Sequence, residues 1–126
     1  MLKENVKQME KENELLEDKL DLANKYLTED RADLEATGVG FTFDNDGYIT
    51  NYTDIMNGLF AEYESKWNEF SGGNEDAELS EEQQEVLDKM WEHIETIKTA
   101  YEKYETTLDE VQDLQQEQIE KALEIQ

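Results

Sequence analysis

Two stretches of this chain carry side chains able to bind or transform a ligand. Asp44-Asn45-Asp46-Gly47-Tyr48-Ile49 places oxygen donors around a glycine, in the manner of a calcium-binding loop. With Gly47 aligned to the sixth position of such a loop, Asp44 falls third, Asp46 fifth and Ile49 eighth. Position one is then Thr42 and position twelve Thr53, so the first carboxylate and the bidentate glutamate are both missing. Asp44 and Asp46 are candidate ligands, yet the segment reads first as a turn, and no metal is expected there. The second stretch surrounds His93, with Glu92 and Glu95 close by. No cysteine and no second histidine exist to complete a zinc or nucleophilic site, so His93 reads as a surface residue. Carboxylates abound, but none is set apart by a glycine-rich turn, a strand end or an apolar pocket. The sequence therefore assigns no catalytic residue and no cofactor.

The elements that position these residues follow from periodicity. Over 1–37, apolar residues recur at alternating steps of four and three. One column of this heptad seam holds Val6, Asn13, Leu20, Leu27 and Leu34, and the other Leu2, Met9, Leu16, Ala23 and Asp30. Asn13 is a structural candidate, a seam amide that sets register, while Asp30 is expected to weaken the seam. Thr37-Gly38 stops the helix, with Gly38 suited to a left-handed C-terminal position. A two-stranded β-hairpin is expected over 40–50, turning at Asp44 to Gly47. Its pairing sets Phe43 opposite Tyr48 and Phe41 opposite Thr50, with Thr42 and Ile49 on the other face. Phe41, Phe43, Gly47 and Tyr48 are its structural residues. Such short arms must dock on a helix to persist.

A second helix is expected over 52–70, capped by Asn51 or Thr53, with Ile55, Met56, Leu59, Phe60, Tyr63, Trp67 and Phe70 on one face. A polar loop at 71–79 leads to Ser80 and Gln83, a capping-box start for a third helix over 80–125. That helix carries Leu87, Met90, Ile94, Ile97, Tyr101, Tyr104, Leu108 and Val111 on its seam, then Gln115, Gln118, Ala122 and Ile125, with the register blurring after Val111 where Leu114, Ile119 and Leu123 compete for the same face. Acid-to-lysine pairs Asp21–Lys25, Glu62–Lys66, Glu85–Lys89 and Glu117–Lys121 are spaced for weak support. The fold class is mainly α: a long helical hairpin or coiled coil of three helices, with the small β-hairpin inserted between helices one and two. We expect one elongated module over 1–126, in which helix three runs back along helix two and then helix one. Trp91 then meets Phe60, Ile94 and Ile97 meet Met56, Leu59 and Ile55, Tyr101 and Tyr104 lie near the hairpin, and Leu108 to Ile125 face Leu34 to Met9. The alternative is a compact bundle with helix three parallel to helix one.

Composition narrows the partners. The 126 residues hold no proline and no cysteine, and the net charge is −23, divided as −5 over 1–36, −8 over 37–80 and −10 over 81–126. No basic patch exists for nucleic acid or an anionic membrane. The acidic groups are expected as solvated helix faces rather than a DNA mimic. No secretory signal opens the chain, and no run approaches the ~18 apolar residues of a membrane span. A soluble piece is expected.

Gly40-Phe41-Thr42-Phe43-Asp44-Asn45-Asp46-Gly47-Tyr48-Ile49-Thr50-Asn51-Tyr52-Thr53-Asp54-Ile55-Met56, set between charged helices, resembles a segment recurring in tail tape-measure proteins of phages and prophages. The specific likeness covers about these seventeen residues, and the flanking helices match in style. It implies a virion structural role in tail length determination and tail assembly, with no catalytic residue carried over. The implied partners are self or other coiled-coil chains and tail-tube or tail-assembly proteins, in the host cytoplasm during assembly and then in the virion tail. Tape-measure proteins are many hundreds of residues long, usually with apolar segments and sometimes a peptidoglycan-cleaving domain, so the likeness implies an internal piece. The alternative is a stand-alone acidic coiled-coil adaptor or protein-interaction module, which would be cytoplasmic.

Overall fold

A computed structural model describes residues 2–125 and the side chains of 3–124, so the seam positions assigned to Leu2 and Ile125 lie outside the described side chains. Three helices account for most of the chain: α1 (Leu2–Ala36), α2 (Tyr52–Ser71) and α3 (Glu81–Ile125). Their ends fall within a residue or so of the expected ones, inside the ordinary fraying of helix termini. No helix among the described residues is long and apolar enough to cross a membrane.

Local chemistry explains these ends. Gly38, at φ +75°, closes α1, and its N–H donates to the Glu35 carbonyl at 3.1 Å. Gly72, at φ +64°, does the same for α2. Ser80 and Gln83 form a reciprocal capping box: the Gln83 N–H donates to Ser80 Oγ at 3.1 Å, and the Ser80 N–H to Gln83 Oε1 at 3.0 Å. The start of α2 departs from expectation. Asn51 occupies the N-cap position but makes no side-chain cap, because its amide is engaged elsewhere. Lys66 and Lys121 also depart, pairing with Glu69 at 3.1 Å and with Glu12 and Glu124 at 3.2 and 3.6 Å rather than in the expected i,i+4 pairs.

Contacts group the chain into two compact units, residues 34–102 and residues 1–33 with 103–126. In the first, α2 runs antiparallel to the first half of α3, joined by the 72–80 loop. The core is Met56, Ile94 and Ile97, covered by Val39, Phe41, Tyr52, Leu59 and Tyr63. Phe60 and Tyr63 meet Trp91 at ring-centroid distances of 6.1 and 5.5 Å. The expected meetings of Met56 and Leu59 with Ile94 and Ile97 and of Phe60 with Trp91 are formed, whereas Ile55 is not part of this cluster and Phe60 and Trp91 lie at the exposed edge.

In the second unit, α1 runs antiparallel to the latter part of α3, as the Asp30–Thr107 and Glu12–Lys121 contacts require. The parallel alternative is incompatible with both. Leu16, Ala23, Tyr104, Leu108 and Val111 are buried, while Leu20 and Leu27 are only half-buried. Asp30 keeps its place in the seam and is buried there, accepting from Thr107 Oγ1 at 2.5 Å and facing Lys103 Nζ at 3.5 Å. Asn13 is half-buried on its seam position, with Oδ1 enclosed and without a hydrogen-bond partner. Beyond Val111, Leu114 turns partly inward, whereas Ile119 and Leu123 face out.

Candidate functional site

The glycine-rich island between α1 and α2 is the part of the chain whose geometry is least generic. The expected two-stranded β-hairpin is not formed. No strand occurs among the described residues, and the arms meet in one antiparallel bridge, Phe43 with Ile49. The register differs by one residue from the expected one. Gly47 adopts φ +93° and adds a third loop residue to the turn, so Asp44 pairs with Tyr48, donating its N–H to the Tyr48 carbonyl at 2.8 Å. The expected turn bond survives, with the Gly47 N–H on the Asp44 carbonyl at 3.1 Å. A one-residue slip exchanges the faces of a strand pair. Phe43 therefore opposes Ile49 rather than Tyr48, and Thr42 opposes Thr50, their hydroxyls 2.6 Å apart.

The ladder stops because a side chain replaces its next backbone unit. Asn51 Oδ1 accepts from the Thr42 N–H at 3.0 Å, and Asn51 Nδ2 donates to the Gly40 carbonyl at 2.9 Å. The next residue, Tyr52, already belongs to α2, leaving no extended backbone to continue the pairing. On the other arm, the Phe41 N–H bonds back to the Val39 carbonyl at 3.1 Å, a tight turn that bends the chain away.

Asp44 is committed to this turn. Its Oδ1 accepts from the backbone N–H groups of Asp46 and Tyr48, each at 2.9 Å, the Asx-type arrangement that holds a loop of this kind. No group of three or more metal-type ligands assembles among the described residues. Asp44 and Asp46 are thus brought together by the turn, and His93 stands apart on the exposed side of α3.

The island is anchored through its aromatic residues. Phe41 packs against the Met56–Ile94–Ile97 core, Phe43 and Tyr48 are half-buried, and Ile49 is buried. Tyr52 stacks on Tyr101 with ring centroids 3.6 Å apart and planes 4° from parallel. Burial pushes the Tyr52 phenol above its ordinary 10.0, and the Glu102 carboxylate adds to the rise. The structural residues named from sequence missed Asn51, Tyr52 and Tyr101. Their signal was present, a polar-aromatic step at 51–52 and a seam tyrosine at 101, but it read as capping and core.

Three results are expected. Gly47→Val forces a β-branched residue to positive φ and should cost about 1–3 kcal/mol in urea denaturation. Asp44→Ala removes an acceptor shared by two amides and should cost about 1 kcal/mol, while Asp44→Asn keeps that acceptor and stays near the parent. Equal losses for the Ala and Asn variants would show that charge, not turn geometry, matters at Asp44. The third concerns alkali. The unfolded Tyr52 phenol ionises first, near its ordinary value of 10.0, while the folded one holds its proton to higher pH. Its contribution is therefore intact below pH 10 and is lost as pH rises through the folded value. Tyr52→Phe should show a shallower fall in melting temperature above pH 10 than the parent, and an unchanged slope would refute the assignment.

Comparison of the chain with family models, with curated proteins and with solved structures returned no match.

Proposed function

We propose that this chain is a structural, non-enzymatic segment of a phage or prophage tail tape-measure protein, acting through helix length and helix pairing. The observation that carries the reading is the island phrase from Gly40 to Met56, set between long charged helices. What supports it further is the use made of the phrase. Phe41, Phe43, Asp44, Gly47, Ile49, Asn51 and Tyr52 each serve a turn, a backbone clasp or the docking of the island. Such residues fix an architecture and need no substrate. Self or other coiled-coil chains and tail-tube or tail-assembly proteins are the partners on this reading, first in the host cytoplasm and then in the tail.

The test is an in-frame deletion of the coding region for 1–126 in the virus or prophage that carries it. Tail length is then measured by electron microscopy. Helical residues each span ~1.5 Å, so a length-setting segment should leave tails measurably and uniformly shorter. Tails of unchanged length, or a coding frame remote from virion genes, would sink the reading. The second reading, an acidic adaptor, is favoured by the uneven acidic charge and by an aromatic edge left open on the α2–α3 pair.

A further inference from the structure

At the edge of the α2–α3 pair, two large aromatic rings are left partly in water. Trp91 is 43 % exposed and Phe60 42 % exposed, although each contacts another ring. Beside them runs a surface cleft lined by Tyr63, Asp88, Trp91, Glu92 and Glu95. Four of these residues stand on α3 at successive offsets of three, one and three, which places them on one side of the helix. The cleft thus joins aromatic surface to three carboxylates over two helical turns.

The acidic groups Asp88, Glu92 and Glu95 have no ion-pair partner among the described residues. Asp88 accepts from the neutral Gln84 amide at 2.9 Å, and Glu95 Oε1 accepts from Trp91 Nε1 at 2.8 Å. The nearby Lys66, on α2, is turned to Glu69 at 3.1 Å and lies over the Phe70 ring. The Trp91–Glu95 bond also engages the indole N–H, so the ring's remaining exposed surface is its apolar part.

A cation is the group that both halves of this cleft attract. A ring face draws positive charge through its quadrupole, tryptophan most strongly, and the carboxylates supply the counter-charge. Arginine suits the pair better than lysine: its planar guanidinium can stack on an indole while its N–H fork binds a carboxylate. We infer that the Tyr63–Trp91 cleft, rimmed by Asp88, Glu92 and Glu95, is a docking site for an arginine side chain on a basic segment of a partner protein. The inference is independent of whether the chain belongs to a virion or acts as an adaptor. A second copy of this chain is a poor occupant, since it would bring a further −23.

The probe is a ten-residue glycine-serine peptide carrying two arginines, titrated into the full chain at 150 mM salt. Binding is followed by calorimetry and by the Trp91 indole N–H resonance in nuclear magnetic resonance. Saturable binding that moves this resonance is expected. Trp91→Leu, which keeps every charge, should weaken binding about tenfold. Asp88→Asn with Glu92→Gln, which keeps the indole, should weaken it at least as much. The lysine version of the peptide should bind several-fold less tightly. Helicity by circular dichroism checks that each variant is folded, and the charge variant, altering only exposed side chains, serves if Trp91→Leu fails. No binding at millimolar peptide overturns the inference. So does equal affinity for the parent and Trp91→Leu, which would reveal diffuse attraction to an acidic protein. Equal affinity for the two peptides overturns the choice of arginine.

Discussion

Ile97→Ala is expected to cost about 2–5 kcal/mol, the range for truncating an enclosed branched aliphatic residue. Ile97 is fully buried and stands at the centre of the cluster that receives Met56 and Ile94 from the helices and Val39, Phe41 and Tyr52 from the island and its exit. Removing its outer carbons leaves a cavity bounded by two helices and an irregular segment, and such a segment cannot refill it without breaking its own turn bonds. The Tyr52–Tyr101 stack should loosen as well, lowering the near-ultraviolet dichroism along with the urea midpoint. Phe60→Ala is the comparison. Its ring is larger but 42 % exposed, so the loss should be smaller despite the greater change in volume. A loss below about 1 kcal/mol for Ile97→Ala would place it among ordinary surface changes and would mean that the island does not depend on this core.

The second large effect is expected at Asp30, and its sign depends on the replacement. The carboxylate is buried at 2 % exposure, with Thr107 Oγ1 at 2.5 Å and Lys103 Nζ at 3.5 Å. Lys103 is itself 63 % exposed and also lies 3.9 Å from Asp33, so its attraction is screened by solvent. The Thr107 hydroxyl is the donor that compensates burial of the acid. Thr107→Val keeps the shape, removes that donor and should cost about 1–3 kcal/mol. Asp30→Leu removes the need for it, and replacing a buried charge by a well-packed apolar side chain is often neutral or stabilising. In the Asp30→Leu background, Thr107→Val should then cost far less than it does alone. A double-mutant cycle in urea measures the difference, with a coupling of about 0.5–3 kcal/mol expected. Additive losses would show that Asp30 and Thr107 do not act as a pair.

Much of this architecture was legible because it is written in residues that lie close together. Heptad spacing marked the helices, Gly38 closed the first with positive φ, the polar 71–79 loop ended the second, and Ser80 with Gln83 opened the third. Each of these features rests on bonds spanning four residues or fewer, so sequence offsets alone suffice to read them. The meeting of Met56 with Ile94 and Ile97, and of Phe60 with Trp91, was legible for a related reason. A short loop between two amphipathic helices leaves few registers in which both apolar faces are covered.

What escaped the sequence needed information from farther away. The island's pairing turned on Gly47 adding a third loop residue, and on Asn51 bonding to Gly40 and Thr42, eleven and nine positions back. Asn51 had the composition of a cap, and only the return of the chain gave its amide a different partner. The partner that Asp30 meets inside its apolar column, Thr107, is 77 positions away, so that pairing could not be read from local offsets. The exposure of Trp91 and Phe60 likewise could not be read from helical spacing, which places a residue on a face but not at its centre or edge. The sequence by itself determined the helices, their ends and the turn, since those depend on local backbone bonding and short-range periodicity. The tertiary structure alone decided the pairing register, the compensation of the buried acid and the open aromatic edge, because each depends on which distant groups arrive to share or exclude water.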